Sequence, residues 1–270
     1  MKTGKWHAKS AAEMLEDLLN ADAEQRRMIS NEVELARQVQ LSLLPRELPK
    51  LEGYDLFGGN SSYQGPSGDY FEIITRDDGA ECVLLIADVS GPQLSASMLI
   101  GYLEALTAIS VERGLEPHEI LKAVSGPFYR QTPADIFATM ILVVLEPASG
   151  RLRCASAGHP PAFVVRNTGD VSWFQPTGAP IGIVGDARYD HEVGRLDPGE
   201  ILVLYSDGFI DAANPAHEEF GPDRMADVFT RHHSSDLSMI ATRLECTIAE
   251  FTAGGGIADD RTLLIARRNP

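Results

Sequence analysis

The chain has 270 residues, of which 44% are hydrophobic and 23% charged, and this is enough to bury one sizeable core, or one core with an appendage. Its formal net charge of −16 at pH 7 disfavours nucleic acid as a partner, because affinity for phosphate backbones comes mainly from Lys and Arg. Without an apolar run of about 18 residues, and without a signal-peptide core in "MKTGKWHAKSAAEMLEDLL", the sequence predicts a soluble, cytoplasmic protein with no membrane partner.

The first predicted element is a helix from about Ser10 to Leu44, because this stretch is rich in Ala, Glu, Leu, Gln and Arg and contains no Gly or Pro. Pro45 and Pro49 are expected to end it. The helix either pairs with a second copy to give a homodimer or packs against its own domain. We therefore separate residues 1–45, an N-terminal helical segment for dimerisation or regulation, from a main domain over 46–270. The apolar residues that fit a heptad seam are Leu15, Leu18, Ile29, Ala36, Val39 and Leu43, and Asp22, Gln25 and Glu32 interrupt it.

Short β-type runs begin at Tyr54, and the first clear pair is a hairpin. The segments "YFEII", "RDDGA" and "ECVLLIAD" predict two strands that turn at Asp78-Gly79. With a two-residue turn, this register places Asp69 opposite Asp88, with Cβ atoms roughly 5 Å apart. Like charges in such positions destabilise a sheet unless a cation lies between them.

The remaining elements predict an α+β fold. Helices are expected over about Leu94–Arg113 and after Pro117, followed by a β-meander through "FATMILVVLE", "RLRCASAG", "PAFVVR" and "VSWFQ". "EILVLYSDG" is a further strand, helices follow at Asp223–Arg231 and Leu237–Phe251, and "RTLLIARR" is the final strand. Because strands come in neighbouring runs and helices in blocks, we expect antiparallel sheets covered by helices rather than a doubly wound fold.

Two more aspartates lie at predicted strand ends. Asp207 ends the run "ILVLYSD", and Asp259 precedes "RTLLIARR", with Asp260 placed to orient it or to face water. In an antiparallel sheet the end of one strand lies beside the start of the next, so these two could share one edge with Asp69 and Asp88. Carboxylates favour Mg²⁺ or Mn²⁺ over zinc. Taken singly, each aspartate fits a turn or cap better than a ligand, and only the four together favour a metal site.

Cysteine and histidine are not expected to carry the chemistry. Cys82, Cys154 and Cys246 are widely spaced with no CxxC pattern, which indicates reduced, buried thiols. His159 lies in a Gly-His-Pro-Pro turn, where a histidine bonded to the backbone is favoured over a general acid.

Several blocks together resemble a known family. In order, they are "QLSLLP", "GDYFEI", "LLIADVSG", "ASAGHPPAFVV", "ILVLYSDGFIDAAN", "FGPDRM" and "ADDRTLLIARR". They are similar to the blocks of the SpoIIE/RsbU-like phosphatases, the bacterial branch of the PPM (type 2C) metal-dependent Ser/Thr protein phosphatases. The resemblance covers about Gln40 to Arg268. It implies an antiparallel β-sandwich flanked by helices, preceded by the N-terminal helix, with two divalent ions, Mn²⁺ or Mg²⁺, at one end.

The resemblance also implies roles for individual residues. Asp88 is similar to the aspartate that bridges both metals, and Val89 to the residue that offers its backbone carbonyl. Asp207 and Asp259 resemble the ligands of the second metal, and Asp69 the acidic residue on the first-metal side. The implied activity is hydrolysis of phosphoserine or phosphothreonine on a protein by a water activated between two metals. The implied substrate is a STAS-type anti-sigma factor antagonist in a partner-switching pathway.

The chain departs from the family at four places. Pro66-Ser67-Gly68 replaces the usual Val-Gly-Gly, Tyr70-Phe71-Glu72 replaces Tyr-Tyr-Asp, Pro92-Gln93 is unusual, and the helix near Ser125-Gly126-Pro127 is expected to be broken. Pro92-Gln93 favours an alternative, a catalytically degenerate PPM-fold interaction module that binds the same kind of partner. A metal-dependent hydrolase of small phosphoesters is a third possibility. The intact aspartates favour the active protein phosphatase.

Overall fold

Ten strands and five helices make up the fold in the computed structural model, which describes residues 11–42, 44–45, 47–62, 65–91, 93–254 and 259–270. The helices are α1 (Ala11–Leu41), α2 (Gln93–Glu112), α3 (Pro117–Gln131), α4 (Gly221–Arg231) and α5 (Leu237–Phe251). The strands are β1 (Tyr54–Ser61), β2 (Asp69–Arg76), β3 (Glu81–Val89), β4 (Ala138–Glu146), β5 (Arg151–Ala157), β6 (Ala162–Val165), β7 (Val171–Phe174), β8 (Glu192–Arg195), β9 (Ile201–Tyr205) and β10 (Arg261–Arg268).

The strands form two five-stranded sheets that pack face to face. Sheet 1 has the order β1-β10-β9-β6-β7, and sheet 2 has the order β2-β3-β4-β5-β8. Neighbouring strands in both sheets are antiparallel. Helices α2 and α3 cover the outer face of sheet 2, and α4 and α5 cover the outer face of sheet 1. The predicted α+β sandwich flanked by helices is confirmed.

Strand β3 shows how the sequence builds these layers. Successive side chains of a strand point to opposite faces of its sheet. Val83 and Leu85 pack towards α2 and α3, whereas Leu84 and Ile86 pack in the core between the two sheets. All four are fully buried, so the strand is a continuous apolar run rather than an alternating one.

The hairpin of β2 and β3 has the predicted register. Asp69 lies opposite Asp88. In the turn, Asp77, Asp78 and Gly79 have positive φ angles of 53°, 54° and 88°, and the N–H of Ala80 donates to the carbonyl of Asp77 over 3.0 Å. Positive φ at both central residues is the type I′ geometry that an Asp-Gly pair favours.

The predicted β-meander is wrong because its strands are divided between the sheets. Strands β4 and β5 pair in sheet 2, but β6 and β7 pair in sheet 1. Residues 158–161, Gly-His-Pro-Pro, carry the chain from one sheet to the other, and prolines lack the N–H that a strand ladder requires. The pattern also does not predict β8, a four-residue edge strand whose side chains are half-buried or exposed.

Helix α3 continues through Pro127, where the sequence predicts a break. Proline removes one backbone hydrogen bond of a helix. The helix nevertheless retains its last turn, since the N–H of Thr132 donates to the carbonyl of Phe128 over 3.0 Å. Val124 and Phe128 are fully buried against sheet 2, and this packing holds the helix together.

Helix α1 ends at Leu41, before the prolines that were expected to end it. Two residues of the predicted heptad seam, Ile29 and Val39, are exposed in this chain. The side chains of Leu15, Leu18 and Asp22, and all of Leu43, lie outside the described residues. Pairing with a second copy, and the division of the chain at residues 45 and 46, stay predictions.

Helix α2 is the one helix among the described residues that is long and apolar enough to cross a membrane, by length and composition only. Its residues Ala96, Ile100 and Leu103 are buried in the core cluster on sheet 2. Packing against the sheet therefore accounts for these three apolar residues, whereas Met98 and Ile109 of the same helix are exposed.

The cysteines are free thiols, but only two of them are buried. Cys82 and Cys154 lie on central strands of sheet 2, as the prediction of buried thiols requires. For Cys246 that prediction is wrong, because this residue lies on the outward face of α5 and is exposed.

Candidate metal centre

The first pair of acidic side chains comes from the β2–β3 hairpin of sheet 2. Asp69 begins β2 and is only 3% exposed, and Asp88 lies opposite it near the end of β3. Burial raises the pKa of Asp69 well above its ordinary value, and the charge of Asp88 raises it further. Burial, followed by the charges of Asp207 and Asp259, raises the pKa of Asp88 to about 7. Both carboxylates are therefore costly to ionise in the absence of a cation.

The second pair comes from sheet 1. Asp207 directly follows Ser206 at the end of β9 and opens a single 3₁₀ turn, and Asp259 precedes β10. The two strands are antiparallel neighbours, and the N–H of Ser206 donates to the carbonyl of Thr262 over 2.9 Å. Burial raises the pKa of Asp207 to about 6, with further contributions from the charges of Asp211 and Asp259. Asp211 and Asp259 are exposed, so the group opens to solvent.

The four predicted site residues therefore gather at one end of the sandwich, but they do not share the edge of one sheet. Asp69 and Asp88 belong to sheet 2, and Asp207 and Asp259 flank strands of sheet 1. The expectation of a single shared edge is wrong. The physical reason is that the two sheets pack face to face, so the ends of strands in different sheets can lie as close together as the ends of neighbouring strands in one sheet.

Hydrogen bonds between the sheets fix Asp69 in place. Its Oδ2 atom accepts hydrogen bonds from Ser206 Oγ over 2.7 Å and from Thr262 Oγ1 over 2.6 Å. Ser206 Oγ in turn accepts from the backbone N–H of Thr262 over 2.8 Å. Asp69 is thus a buried carboxylate that joins sheet 2 to sheet 1, in addition to its predicted place on the first-metal side.

Asp260 makes a second connection between the sheets. Its Oδ2 atom accepts hydrogen bonds from Ser67 Oγ over 2.7 Å and from the N–H of Gly68 over 2.8 Å. Its own N–H donates to Asp259 Oδ1 over 2.8 Å. The two adjacent aspartates therefore differ in environment, because Asp259 is exposed whereas Asp260 is only 7% exposed.

Glycines allow close approach of the backbone around these carboxylates. A Cβ atom on Gly68 would lie 3.0 Å from the carbonyl oxygen of Val89 and 3.2 Å from Asp88 Oδ1. A Cβ atom on Gly208 would lie 2.0 Å from the carbonyl oxygen of Asp260, which is far below contact distance. Gly68 therefore places the Val89 carbonyl and the Asp88 carboxylate beside the same small space.

The chemistry of these donors fits a hard divalent cation. Carboxylates and a backbone carbonyl are the ligands that Mg²⁺ and Mn²⁺ prefer, and a cation between the carboxylates would offset both the cost of burying their charge and the repulsion between them, which together raise their pKa values. As arranged, no group of three or more His, Cys, Asp or Glu within the described ranges already has the spacing of a ligand set. The carboxylates are thus near neighbours that do not form a complete ligand set in this arrangement.

His159 is structural, as the sequence indicates. It is 1% exposed, its Nδ1 lies 2.8 Å from Thr139 Oγ1, and its Nε2 lies 3.1 Å from the carbonyl oxygen of Tyr205. A carbonyl only accepts, so Nε2 carries the proton and Nδ1 accepts from the threonine hydroxyl. Burial lowers the pKa of His159 to about 3, which keeps the ring neutral. A neutral, buried ring with both nitrogens bonded in this way is not placed to act as a general acid for a leaving group.

The sequence analysis misses three residues of this centre: Ser67, Ser206 and Thr262. Ser206 directly precedes Asp207, Ser67 lies two residues before Asp69, and Thr262 lies three residues after Asp259. A hydroxyl within three residues of a predicted ligand is the one signal that could have identified them, but hydroxyl residues are also common in turns.

The sequence of this chain is similar to those of several known proteins. The family model for Stage II sporulation protein E (SpoIIE) matches residues 78–269. Protein IcfG of Synechocystis sp. is 25% identical over 265 residues, covering 88% of this chain and 42% of IcfG. Phosphoserine phosphatase RsbU of Bacillus subtilis is 25% identical over 241 residues, covering 89% of this chain and 71% of RsbU. The chain thus spans less than half of IcfG.

Solved structures support the fold. The SiaA-PP2C domain of Pseudomonas aeruginosa superposes with a TM-score of 0.78 at 21% identity, covering 91% of this chain and 98% of that domain. The RsbU and RsbW domains of Rv1364c from Mycobacterium tuberculosis superpose with a TM-score of 0.68 at 26% identity, covering 82% of this chain and 63% of that one. The sandwich and its helices are therefore those of a PP2C phosphatase domain.

Proposed function

Because the chain belongs to the SpoIIE family of PPM phosphatases, we propose that it is a metal-dependent serine/threonine protein phosphatase. The relatives named phosphoserine phosphatase RsbU and RsbP, both of Bacillus subtilis, support this assignment of the reaction. The bond broken is the phosphate ester of phosphoserine or phosphothreonine on a protein, with water as the nucleophile.

The observation that carries the proposal is the gathering of four carboxylates from two sheets, with the pKa of Asp88 raised to about 7 and that of Asp207 to about 6. Asp88 and the Val89 carbonyl would hold the first of two Mn²⁺ or Mg²⁺ ions, with Asp69 on the same side. Asp207 and Asp259 would hold the second, and Asp88 would be shared. Support for a divalent ion also comes from RsbX, which was solved in complex with magnesium.

When bound, such ions supply a water of lowered pKa and offset negative charge on the phosphoryl oxygens. The chain's own residues place the ligands. Ser206 and Thr262 hold Asp69 through their hydroxyls, and Asp260 holds the segment before β2. Because Asp259 is exposed, this side of the site opens to solvent, which a substrate as large as a folded protein requires.

The test is hydrolysis of p-nitrophenyl phosphate and of a phosphoserine protein, with Mn²⁺ and with a chelator. We expect turnover only with the metal. Asp88→Asn should lower it by at least about 100-fold, since removing even an outer partner of a metal ligand costs 10–100-fold. Asp78→Asn, at the turn end of the same hairpin, is the matched control and should retain activity. Turnover that persists in Asp88→Asn, or in the chelator, would refute the ligand assignment.

The physiological substrate that we propose is a phosphorylated STAS-type anti-sigma factor antagonist, in a cytoplasmic partner-switching pathway. Its support is analogy with the RsbU and RsbP relatives, and with the Rv1364c structure that contains RsbU and RsbW domains. If phosphorylated STAS domains react no faster than an unrelated phosphoprotein, this substrate class is excluded while the phosphatase activity stands.

The same assays distinguish two alternative functions from the proposed protein phosphatase. A degenerate interaction module would bind the phosphoprotein without turnover, and Pro92-Gln93, the feature that favours it, lies outside the residues whose side chains are described. A hydrolase of small phosphoesters would turn over p-nitrophenyl phosphate but not phosphoprotein. The four retained aspartates favour the active protein phosphatase over the first alternative.

A homodimer through α1 is a further part of the proposal. Met28, Ile29, Leu35 and Val39 of this helix are more than half exposed in the single chain, between 53% and 65%. Apolar side chains on one long helix are typical of a coiled-coil seam. Light scattering of the purified chain, and of a double substitution Ile29→Glu with Val39→Glu, measures the oligomeric state directly. A monomeric wild-type chain would exclude the dimer.

A further inference from the structure

The segment that leads into Asp69 is held partly by α1, a helix that the sequence assigns to a separate N-terminal segment. Gln40, in the last turn of α1, is 6% exposed and contacts Ser67, 27 residues further along the chain. The side-chain Nε2 of Gln40 donates to the carbonyl of Ser67, and its Oε1 accepts from the N–H of Ser67 over 2.7 Å. One amide side chain thus satisfies both backbone groups of Ser67.

The backbone N–H and C=O groups of Ser67 and Gly68 all have hydrogen-bond partners. Both groups of Ser67 bond to Gln40. The N–H of Gly68 donates to Asp260, and the carbonyl of Gly68 accepts from the N–H of Val89 over 3.0 Å. Buried backbone groups require such partners, and half of those available to this segment come from α1.

The side chain of Ser67 extends this connection into the metal centre. Its Oγ donates to Asp260 over 2.7 Å and accepts from the N–H of Asp69 over 3.0 Å. A continuous set of hydrogen bonds therefore runs from Gln40 through Ser67 to Asp260 and the start of β2.

We propose that Gln40 is a positioning residue for the metal centre, acting through Ser67, so that the last turn of α1 is part of the catalytic unit. Gln40 fixes the segment that brings Gly68 within reach of the Val89 carbonyl and the Asp88 carboxylate. Of the two measurements that test this, the affinity for Mn²⁺ rests on the proposed function. Hydrogen exchange of the backbone before Asp69 does not.

The test uses the full chain with the substitution Gln40→Met, which keeps the length of the side chain but removes both hydrogen bonds. Gln38→Met is the matched control, because Gln38 lies half a turn away on the same helix and is exposed. Two quantities are measured: hydrogen exchange of peptides covering residues 65–69 in chelator, and the Kd for Mn²⁺ by calorimetry. We expect Gln40→Met to lose protection in this segment and to weaken Mn²⁺ binding about tenfold, in the range known for outer-shell partners.

A second variant tests the hydroxyl link. Ser67→Ala keeps both bonds to Gln40 and removes only the contacts of Oγ, so it should keep most of the exchange protection and weaken Mn²⁺ binding by a few-fold. This separates the two halves of the connection. The control Gln38→Met should match the wild type in both measurements.

A purely structural role of Gln40 gives a different result: a lower melting temperature with exchange protection of residues 65–69 and Mn²⁺ affinity both unchanged. That outcome overturns the proposal, as does a Kd for Mn²⁺ within twofold of the wild type. If the wild-type chain binds no Mn²⁺, the proposed function fails. The exchange result then decides alone whether Gln40 orders the segment before Asp69.

Discussion

Replacing Asp88 by Asn should stabilise the metal-free protein, although under the proposed function it removes activity. The folded environment raises the pKa of Asp88 to about 7 from its ordinary value of 3.8, through burial and the charges of Asp207 and Asp259. A group with a raised folded pKa stabilises the fold while it is protonated, and this contribution is lost as the pH rises through the folded pKa. Above pH 7 the charged carboxylate therefore opposes folding.

The magnitude follows from the same values. At about 1.4 kcal/mol for each pH unit, the difference between 3.8 and about 7 corresponds to roughly 4 kcal/mol at pH 8. An asparagine amide must still be buried, so we expect a gain of about 2 kcal/mol, or an increase of about 4–8 °C in melting temperature for a chain of this size.

Calorimetry in a chelator at pH 8 and pH 5 tests this reasoning. The gain should be largest at pH 8 and much smaller at pH 5, because the loss of stability in the wild type builds up between the ordinary pKa of 3.8 and the folded pKa of about 7. Under the proposed function, adding Mn²⁺ should reverse the order, because the variant lacks one of the carboxylates that would hold the ion. Asp78→Asn is the control and should show no gain at either pH. A variant that is no more stable than the wild type at pH 8, or equally stabilised at pH 5, would refute the electrostatic account.

Two further predictions concern the frame around the site. Gly208→Ala places a Cβ atom 2.0 Å from the Asp260 carbonyl oxygen and should destabilise the protein by about 3 kcal/mol or more. In the control Gly59→Ala, the Cβ atom would meet only the ring of Phe57 at 3.4 Å, and the loss should be less than about 1 kcal/mol. Chemical denaturation measures the free energy of unfolding of both variants, and equal losses contradict the steric argument. His159 has a folded pKa of about 3 against an ordinary 6.5, so the folded state binds fewer protons between these values and stability falls as the pH drops from 6.5 to 3. His159→Gln should flatten this acid limb, and an unchanged slope in the melting temperature against pH would exclude His159 as its cause.

The hairpin register could be predicted because a two-residue Asp-Gly turn leaves little freedom in strand pairing. That register placed Asp69 opposite Asp88 without any tertiary information. The division of the strands between two sheets was not predictable in the same way. It depends on which face each hairpin buries, and β5 and β6 are nearly all buried, so their apolar pattern does not distinguish a neighbour in the same sheet from one across the core.

The candidate site was predictable to the extent that acidic residues mark strand ends. The residues that hold the aspartates were not, because their contacts join distant parts of the chain: Ser206 lies 137 residues from Asp69, and Ser67 lies 193 residues from Asp260. A serine beside a glycine or an aspartate is ordinary turn chemistry until the fold shows what it touches. The break predicted in α3 failed for a related reason, since burial of one face outweighs the bond lost at Pro127.

The position of β10 between β1 and β9 has a consequence for synthesis of the protein on the ribosome. Until β10 emerges, β1 has no neighbour in its sheet and β9 presents an open edge, both of which invite pairing with other chains. Asp69 meanwhile lacks the Thr262 hydroxyl that holds it. A growing polypeptide therefore carries Asp69, Asp88 and Asp207 before β10 can hold them in place, and under the proposed function the metal centre can form only when this strand has been inserted.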